Sequence, residues 1–176
     1  MYAIGDKILY GTLGVMEIVD ITEQSIGDAV KQYYVLKEYA SSSGSLTYVP
    51  TDNEVLLANI RPLLTKDEIV EVIMAAKDAP LLEWIEDNRA RAEYYKKVLA
   101  SLDRAQMMIM IETVIATGKR REKEGKKNYI ADENSMRRAE KLISTEFSLV
   151  LGIPESEVFD FIKRCKRQKC PEKVSK

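Results

Sequence analysis

A chain of 176 residues, 45% hydrophobic and with a formal net charge of -1, can bury one large core or two small ones, and it lies outside the compositions of disordered, collagenous or disulfide-stapled chains. It has no histidine, which removes the usual general base, the usual triad member and the commonest metal ligand. Its two cysteines, Cys165 and Cys170, are too few for a disulfide framework and lack the second ligand pair of a zinc site, so no metal and no cofactor is expected.

No apolar run reaches the ~18 to 20 residues that a membrane helix needs. The N-terminus opens on the alternating MYAIGDKILY in place of the charged, apolar and cleavable regions of a signal peptide, so a cytoplasmic protein with no membrane partner is expected. The first 64 residues carry 4 basic against 8 acidic side chains and the rest 23 against 20. That asymmetry suits two parts with different partners.

Residues 1–64 read as β structure. Strands are expected over 6–10, 14–23, 30–39 and 45–49, where β-branched and aromatic residues alternate or cluster, with a short fifth over 60–64. Turn formers separate them: Gly11 to Gly14, the Gly27-Asp28 pair, and Ser41-Ser42-Ser43-Gly44. Five short strands in so few residues predict a small, strongly bent barrel, with edges either closed or offered to a partner.

At Thr65 the period changes from two to 3.6. Thr65 with Glu68 forms a capping box ahead of Ile69, Val70, Ile73 and Met74, which marks a domain boundary and a first helix. A second helix is expected from Pro80 to about Ser101, with Leu81, Ile85, Ala92, Tyr95 and Leu99 at three- and four-residue spacing. Asp103 can cap a third, whose Met107-Met108-Ile109-Met110-Ile111 run is too apolar for a surface and predicts a central position. That helix turns highly charged at KRREKEGKK (119–127), where Gly125 ends it. A fourth begins near Asp132 and stops at Gly152, and a last follows Pro154 with Val158, Phe161 and Ile162 packing back. The stretch 166–176 reads as a charged flexible tail.

Candidates for chemistry are few. The carboxylates sit on polar helix faces, the glycines around Gly11 do not have phosphate-loop spacing, and no convergent constellation is present, so no enzymatic activity is expected. Lys119, Arg120, Arg121, Lys123, Lys126 and Lys127 form one basic cluster against Glu122 and Glu124, and Lys163, Arg164, Lys166, Arg167 and Lys169 a second. Either is a solvated helix end that complements the macrodipole or a phosphate-binding surface.

The single tryptophan, Trp84, lies in LLEWIEDNRAR. On the expected helix it shares a stripe with Asn88 and Arg91 at the border of the core. Two readings stay open: a packed border residue, or a ring that stacks on or wedges against a base pair while Asn88, Arg89 and Arg91 reach phosphates.

The order and spacing of several blocks resemble the CarD and CdnL-like bacterial transcription regulators, whose N-terminal domain is shared with the RNA polymerase interaction domain of the transcription-repair coupling factor. The blocks are IGDKILYGTLGVMEIVDI, QYYVLKEY, LTYVP and NIRPLL in the first part. In the second they are WIEDNRARAEYYKKVLASLDR, EGKKNYIADENSMRRAEKLISTEFSLVLGI and ESEVFDFI. Three places depart from the pattern: Tyr10-Gly11-Thr12-Leu13-Gly14 stands where the family has a tyrosine-proline-x-histidine-glycine turn, Ser101-Leu102-Asp103 where it has serine-glycine-aspartate, and Gln24 and Tyr48 where some members carry polymerase-contacting arginines.

The resemblance implies an α+β chain of two segregated domains. Residues 1–64 would be a Tudor-like or SH3-like β barrel docking on the RNA polymerase β subunit, and 65–165 an all-α helical bundle touching promoter DNA. Trp84 matches the family tryptophan that wedges into the minor groove at the upstream edge of the transcription bubble, which would stabilise the open promoter complex. For docking, the expected edge is Leu46, Thr47, Tyr48 and Val49, with Tyr48 as aromatic anchor. The protein is expected to be a monomeric transcription regulator. The alternative is an interaction adaptor that binds polymerase or another protein without DNA contact, which the acidic Glu83, Glu86 and Asp87 beside Trp84 favour.

Overall fold

The computed structural model describes residues 2–26, 29–39 and 45–167. The expected turns at Gly27-Asp28 and Ser41 to Gly44, together with Lys169 and Cys170, lie outside them. The chain divides into two compact units, Met1–Leu63 and Leu64–Lys176.

In the first unit the strands are β1 Lys7–Tyr10, β2 Val15–Ile26, β3 Ala29–Glu38, β4 Leu46–Pro50 and β5 Ile60–Pro62. All neighbours pair antiparallel in the order β4-β3-β2-β1-β5. The alternation seen in the sequence drives Ile8, Met16, Ile18, Tyr34, Leu36, Val49 and Ile60 into one apolar cluster, since successive side chains of a strand point to opposite faces. A register shift between Ile18 and Asp20 marks a bulge in β2, where one extra residue raises the local twist. Between β1 and β2 the chain makes a 3-10 turn, Gly11–Leu13, and leaves it at Gly14 with φ 91, a backbone region that a side chain disfavours.

The sheet does not close, so the expected barrel is not observed. A short helix absent from the sequence reading, α1 Glu54–Leu57, carries the chain from one edge to the other, capped by Asn53. Its Leu56 and Leu57 pack on the apolar cluster, covering with side chains what a closed barrel would cover by strand pairing. β5 is also poorly suited to a further ladder: it has three residues, and its Pro62 has no N–H to donate.

The second unit contains α2 Lys66–Asp78, α3 Asn88–Ser101, α4 Arg104–Lys123, α5 Ile130–Leu151 and α6 Glu155–Arg167. Thr65 and Glu68 form the reciprocal capping box, Asp103 caps α4 through the Gln106 N–H, and Gly152 ends α5 in the left-handed region. α4 packs against α2, α3 and α5, and Met107 to Ile111 are all buried. α5 is equally enclosed, with Leu142 to Phe147 buried in one run that includes the polar Ser144, Thr145 and Glu146. Glu146, 1% exposed, accepts two N–H groups of Arg104 and the backbone N–H of Leu64.

Two boundaries differ from expectation. α3 starts at Asn88, eight residues later than the spacing of Leu81 and Ile85 suggested, and 79–87 form no regular element. The α6 helix runs to Arg167, so residues 166 and 167 are helical and do not belong to the tail; the remainder of the tail lies outside the described residues.

Candidate functional site

Among the described residues the first unit offers one open edge. β4 pairs with β3 on one side, from Tyr33–Pro50 to Lys37–Leu46, and is terminal in the sheet order on the other. Its side chains divide by face: Leu46 and Tyr48 are 42% and 46% exposed, while Val49 is fully buried in the core and Thr47 half-buried. Of the four residues expected to dock, Val49 therefore anchors the strand, and Leu46 and Tyr48 face outward. The opposite edge, β5, is blunted. Arg61 folds its guanidinium onto the carbonyls of Ala58 (2.6 Å) and Ile60 (3.1 Å), which occupies acceptors that an added strand would use.

In the second unit Trp84 sits in the irregular segment before α3, not on the helix. That segment is held by side chains. The Leu82 N–H donates to the Thr113 hydroxyl (3.0 Å), which in turn donates to the Ile109 carbonyl. Asp87, the N-cap of α3, accepts from the Ala90 N–H at 2.8 Å, so one of the acidic neighbours of Trp84 is engaged as a cap. The ring is half-buried. Beside it an open groove of about 290 Å³ lies between Leu81 and Leu82 on one side and Thr113, Thr117 and Arg120 of α4 on the other.

Arg91 departs most from the sequence expectation. Read as a phosphate ligand, it is instead 1% exposed, because the start of α3 turns it inward toward the N-terminus of α5. There its Nε donates to both Asp132 oxygens at 3.1 and 2.9 Å. Nη1 reaches the Ile85 carbonyl (2.6 Å) and the Glu86 carbonyl (3.4 Å), and Nη2 the Asn88 Oδ1 (2.8 Å). The guanidinium carbon lies 4.2 Å from the Trp84 ring centre and 4.5 Å from that of Tyr129, and the two rings are 6.1 Å apart. A desolvated guanidinium on an aromatic face is attractive by up to about 2 kcal/mol. Burial pushes the Asp132 carboxyl above the usual carboxylate range, and the Arg91 charge pulls it back. Asn88 is exposed but shares its amide oxygen with Arg91, and Arg89 is exposed.

The first basic cluster also splits. Lys119, Arg120, Lys126 and Lys127 are exposed. Arg121 is half-buried and braces the turn after α4: its guanidinium lies 4.0 Å from the Tyr129 ring centre, Nε and Nη2 donate to the Lys127 carbonyl, and Nη1 donates to the Tyr129 hydroxyl. Lys126 pairs with Glu124 at 2.8 Å. In the second cluster Lys163 pairs with Asp160 and Lys166 with Glu112.

Tyr129, Asp132 and Thr113 were not singled out in the sequence. Asp132 lies 41 residues from Arg91, and no local spacing signals a pair at that separation. Among the described residues no group of His, Cys, Asp or Glu is arranged to hold a metal ion, and no helix is long and apolar enough to cross a membrane.

No curated protein matches the chain. A family model does: residues 2–64 match the one described as CarD-like/TRCF RID domain. The match spans the open-edged β sheet from its first strand to its last, so the N-terminal unit is similar to a CarD-like/TRCF RID domain, which supports interaction with RNA polymerase.

Proposed function

We propose that the protein is a non-enzymatic, monomeric transcription regulator of the cytoplasm that docks on the β subunit of RNA polymerase through the β4 edge and brings Trp84 to promoter DNA at the upstream edge of the bubble. The observation that carries docking is the asymmetry of the sheet: β4 presents an unpaired backbone edge with Leu46 and Tyr48 outward, whereas β5 is blocked by Pro62 and by Arg61. Strand addition takes its affinity from main-chain hydrogen bonds and its choice of partner from side chains such as these.

For DNA, the support is a half-buried indole beside a groove that the exposed Arg120 also lines, with the exposed cations Arg89, Lys119, Lys126 and Lys127 in the same unit. Such a ring favours unstacked over closed duplex, so it lowers the free energy of the open complex relative to the closed one. With 23 basic side chains nearly balanced by 20 acidic ones after residue 64, affinity for DNA alone is weak, and tethering to polymerase supplies the effective concentration.

The adaptor reading, with polymerase bound and DNA untouched, is favoured by the exposed Glu83 and Glu86 next to the ring. The two separate in a paired experiment. Tyr48→Ala is expected to reduce retention of polymerase on the immobilised protein. Trp84→Ala is expected to leave retention intact while shortening the lifetime of open promoter complexes after competitor challenge. An unchanged lifetime with Trp84→Ala would establish the adaptor reading, and undiminished retention with Tyr48→Ala would remove β4 as the docking edge.

A further inference from the structure

We propose that Arg91 and Asp132 form a positioning pair that sets the presentation of Trp84, an inference that rests on the role proposed for that ring. Backbone periodicity does not fix the indole, because 79–87 form no regular element. Thr113 holds the segment at Leu82 and the Asp87 cap holds its end, and between them one guanidinium contacts both backbone and ring. Arg91 donates to the carbonyls of Ile85 and Glu86, the two residues that follow Trp84, and its guanidinium carbon lies 4.2 Å from the centre of the indole itself. It therefore holds both the backbone and the ring of the segment.

Asp132 sets the guanidinium in turn. Both of its oxygens face Nε, and it is carried on the first turn of α5, three residues after Tyr129, whose ring is the second aromatic contact of Arg91. Asn88 takes the remaining fork at Nη2. An arginine is required here. A lysine ammonium is a point charge on a flexible stem and cannot bridge a carboxylate, two carbonyls and an aromatic face in one plane.

A buried ion pair is weak evidence for stability, since a well-packed apolar substitute is often as stable. A purely structural role would thus be met by any variant that folds, and a positioning role would not. The test uses the full chain. Arg91→Lys keeps the charge and loses the fork. The expected result is retained helicity and retained polymerase binding, a red-shifted Trp84 emission with greater accessibility to acrylamide, and an open-complex lifetime reduced toward that of Trp84→Ala. If Arg91→Lys fails to fold, Asp132→Asn, which keeps one oxygen acceptor of the same shape, is read in the same assays.

A folded Arg91→Lys, or in its place Asp132→Asn, with wild-type emission and wild-type lifetime overturns the positioning role while leaving the proposed function standing, provided Trp84→Ala shortens the lifetime. If Trp84→Ala has no effect on lifetime, the proposed function fails first and the pair has nothing to position.

Discussion

Replacing Glu146 and Arg104 singly and together tests the polar centre of the helical unit. The Glu146 side chain is 1% exposed and that of Arg104 12%. The carboxylate accepts from Arg104 Nε at 2.9 Å, from Nη2 at 2.7 Å and from the Leu64 N–H at 3.1 Å. Glu146→Leu leaves the guanidinium without its anion and the Leu64 N–H without an acceptor. Arg104→Met leaves a buried carboxylate with one N–H. Removing one partner of a buried pair is destabilising by about 3–5 kcal/mol, so each single variant is expected to lose a large part of the domain's stability.

The double variant removes both charges and keeps apolar volume on both sides. Its remaining defects are the Leu64 N–H and the Leu102 carbonyl that Arg104 Nη1 serves at 2.9 Å, neutral groups that cost less to leave unpaired than a buried charge. The double variant should therefore be more stable than either single one, whereas additivity would make it the worst of the three. Urea denaturation of the full chain, followed by far-UV circular dichroism, reads this order directly. Additive losses, or a Glu146→Leu variant within about 0.5 kcal/mol of wild type, the range of an unimportant surface substitution, would refute the reasoning.

Two further outcomes follow from the same unit. Leu102, the C-cap of α3, has φ 56 and is 4% exposed. Glycine there relieves about 1–2 kcal/mol of left-handed strain, but deleting a buried leucine costs about 2–5 kcal/mol, so Leu102→Gly should be less stable than wild type. Leu102→Ala loses the burial and keeps the strain, so it should be less stable than Leu102→Gly, and the opposite order in denaturant melts would contradict this account. Burial, aided by the nearby Asp132 charge, raises the Tyr95 hydroxyl to about 12 from 10.0. Because the folded value is raised, its contribution is fully present below pH 10 and is lost as pH climbs from 10 through about 12. Tyr95→Phe should flatten that alkaline loss of stability, and a variant with the wild-type pH profile would remove Tyr95 as its source.

Much of the architecture is legible because it is written in local period. The alternation of IGDKILY and VMEIVDI gives β1 and β2, and the Thr65 to Glu68 box gives the start of α2. The error at Pro80 is instructive. Leu81 and Ile85 mimic a helical face, yet Thr113 of α4 captures the Leu82 N–H and Asp87 caps the helix at its true start, so a tertiary contact overrides a weak local propensity. The Asp87 to Ala90 cap was readable in principle, but the longer apolar spacing outweighed it. Leu102 shows the reverse case. A glycine at that place, as in the serine-glycine-aspartate pattern that the sequence resembles, would signal a left-handed residue, and here a buried leucine takes the same backbone with φ 56, at some cost in strain.

What the sequence hid was the use of its arginines. A run of arginines near a tryptophan reads as a phosphate surface, because charged residues are mostly exposed. In the helical unit three arginines instead turn back onto the protein: Arg91 onto Asp132 and the Trp84 segment, Arg104 onto Glu146, and Arg121 onto Lys127 and Tyr129. The planar fork suits arginine to bracing several acceptors at once, and lysine, more strongly hydrated, is left outside. The cations that face solvent near the candidate interface are therefore mainly lysines, with Arg89 and Arg120. Point charges of this kind attract phosphate without reading sequence. If the helical unit meets DNA, then, the surface lysines supply attraction and the arginines that look like DNA ligands supply shape, by holding the one aromatic ring able to discriminate opened from closed duplex.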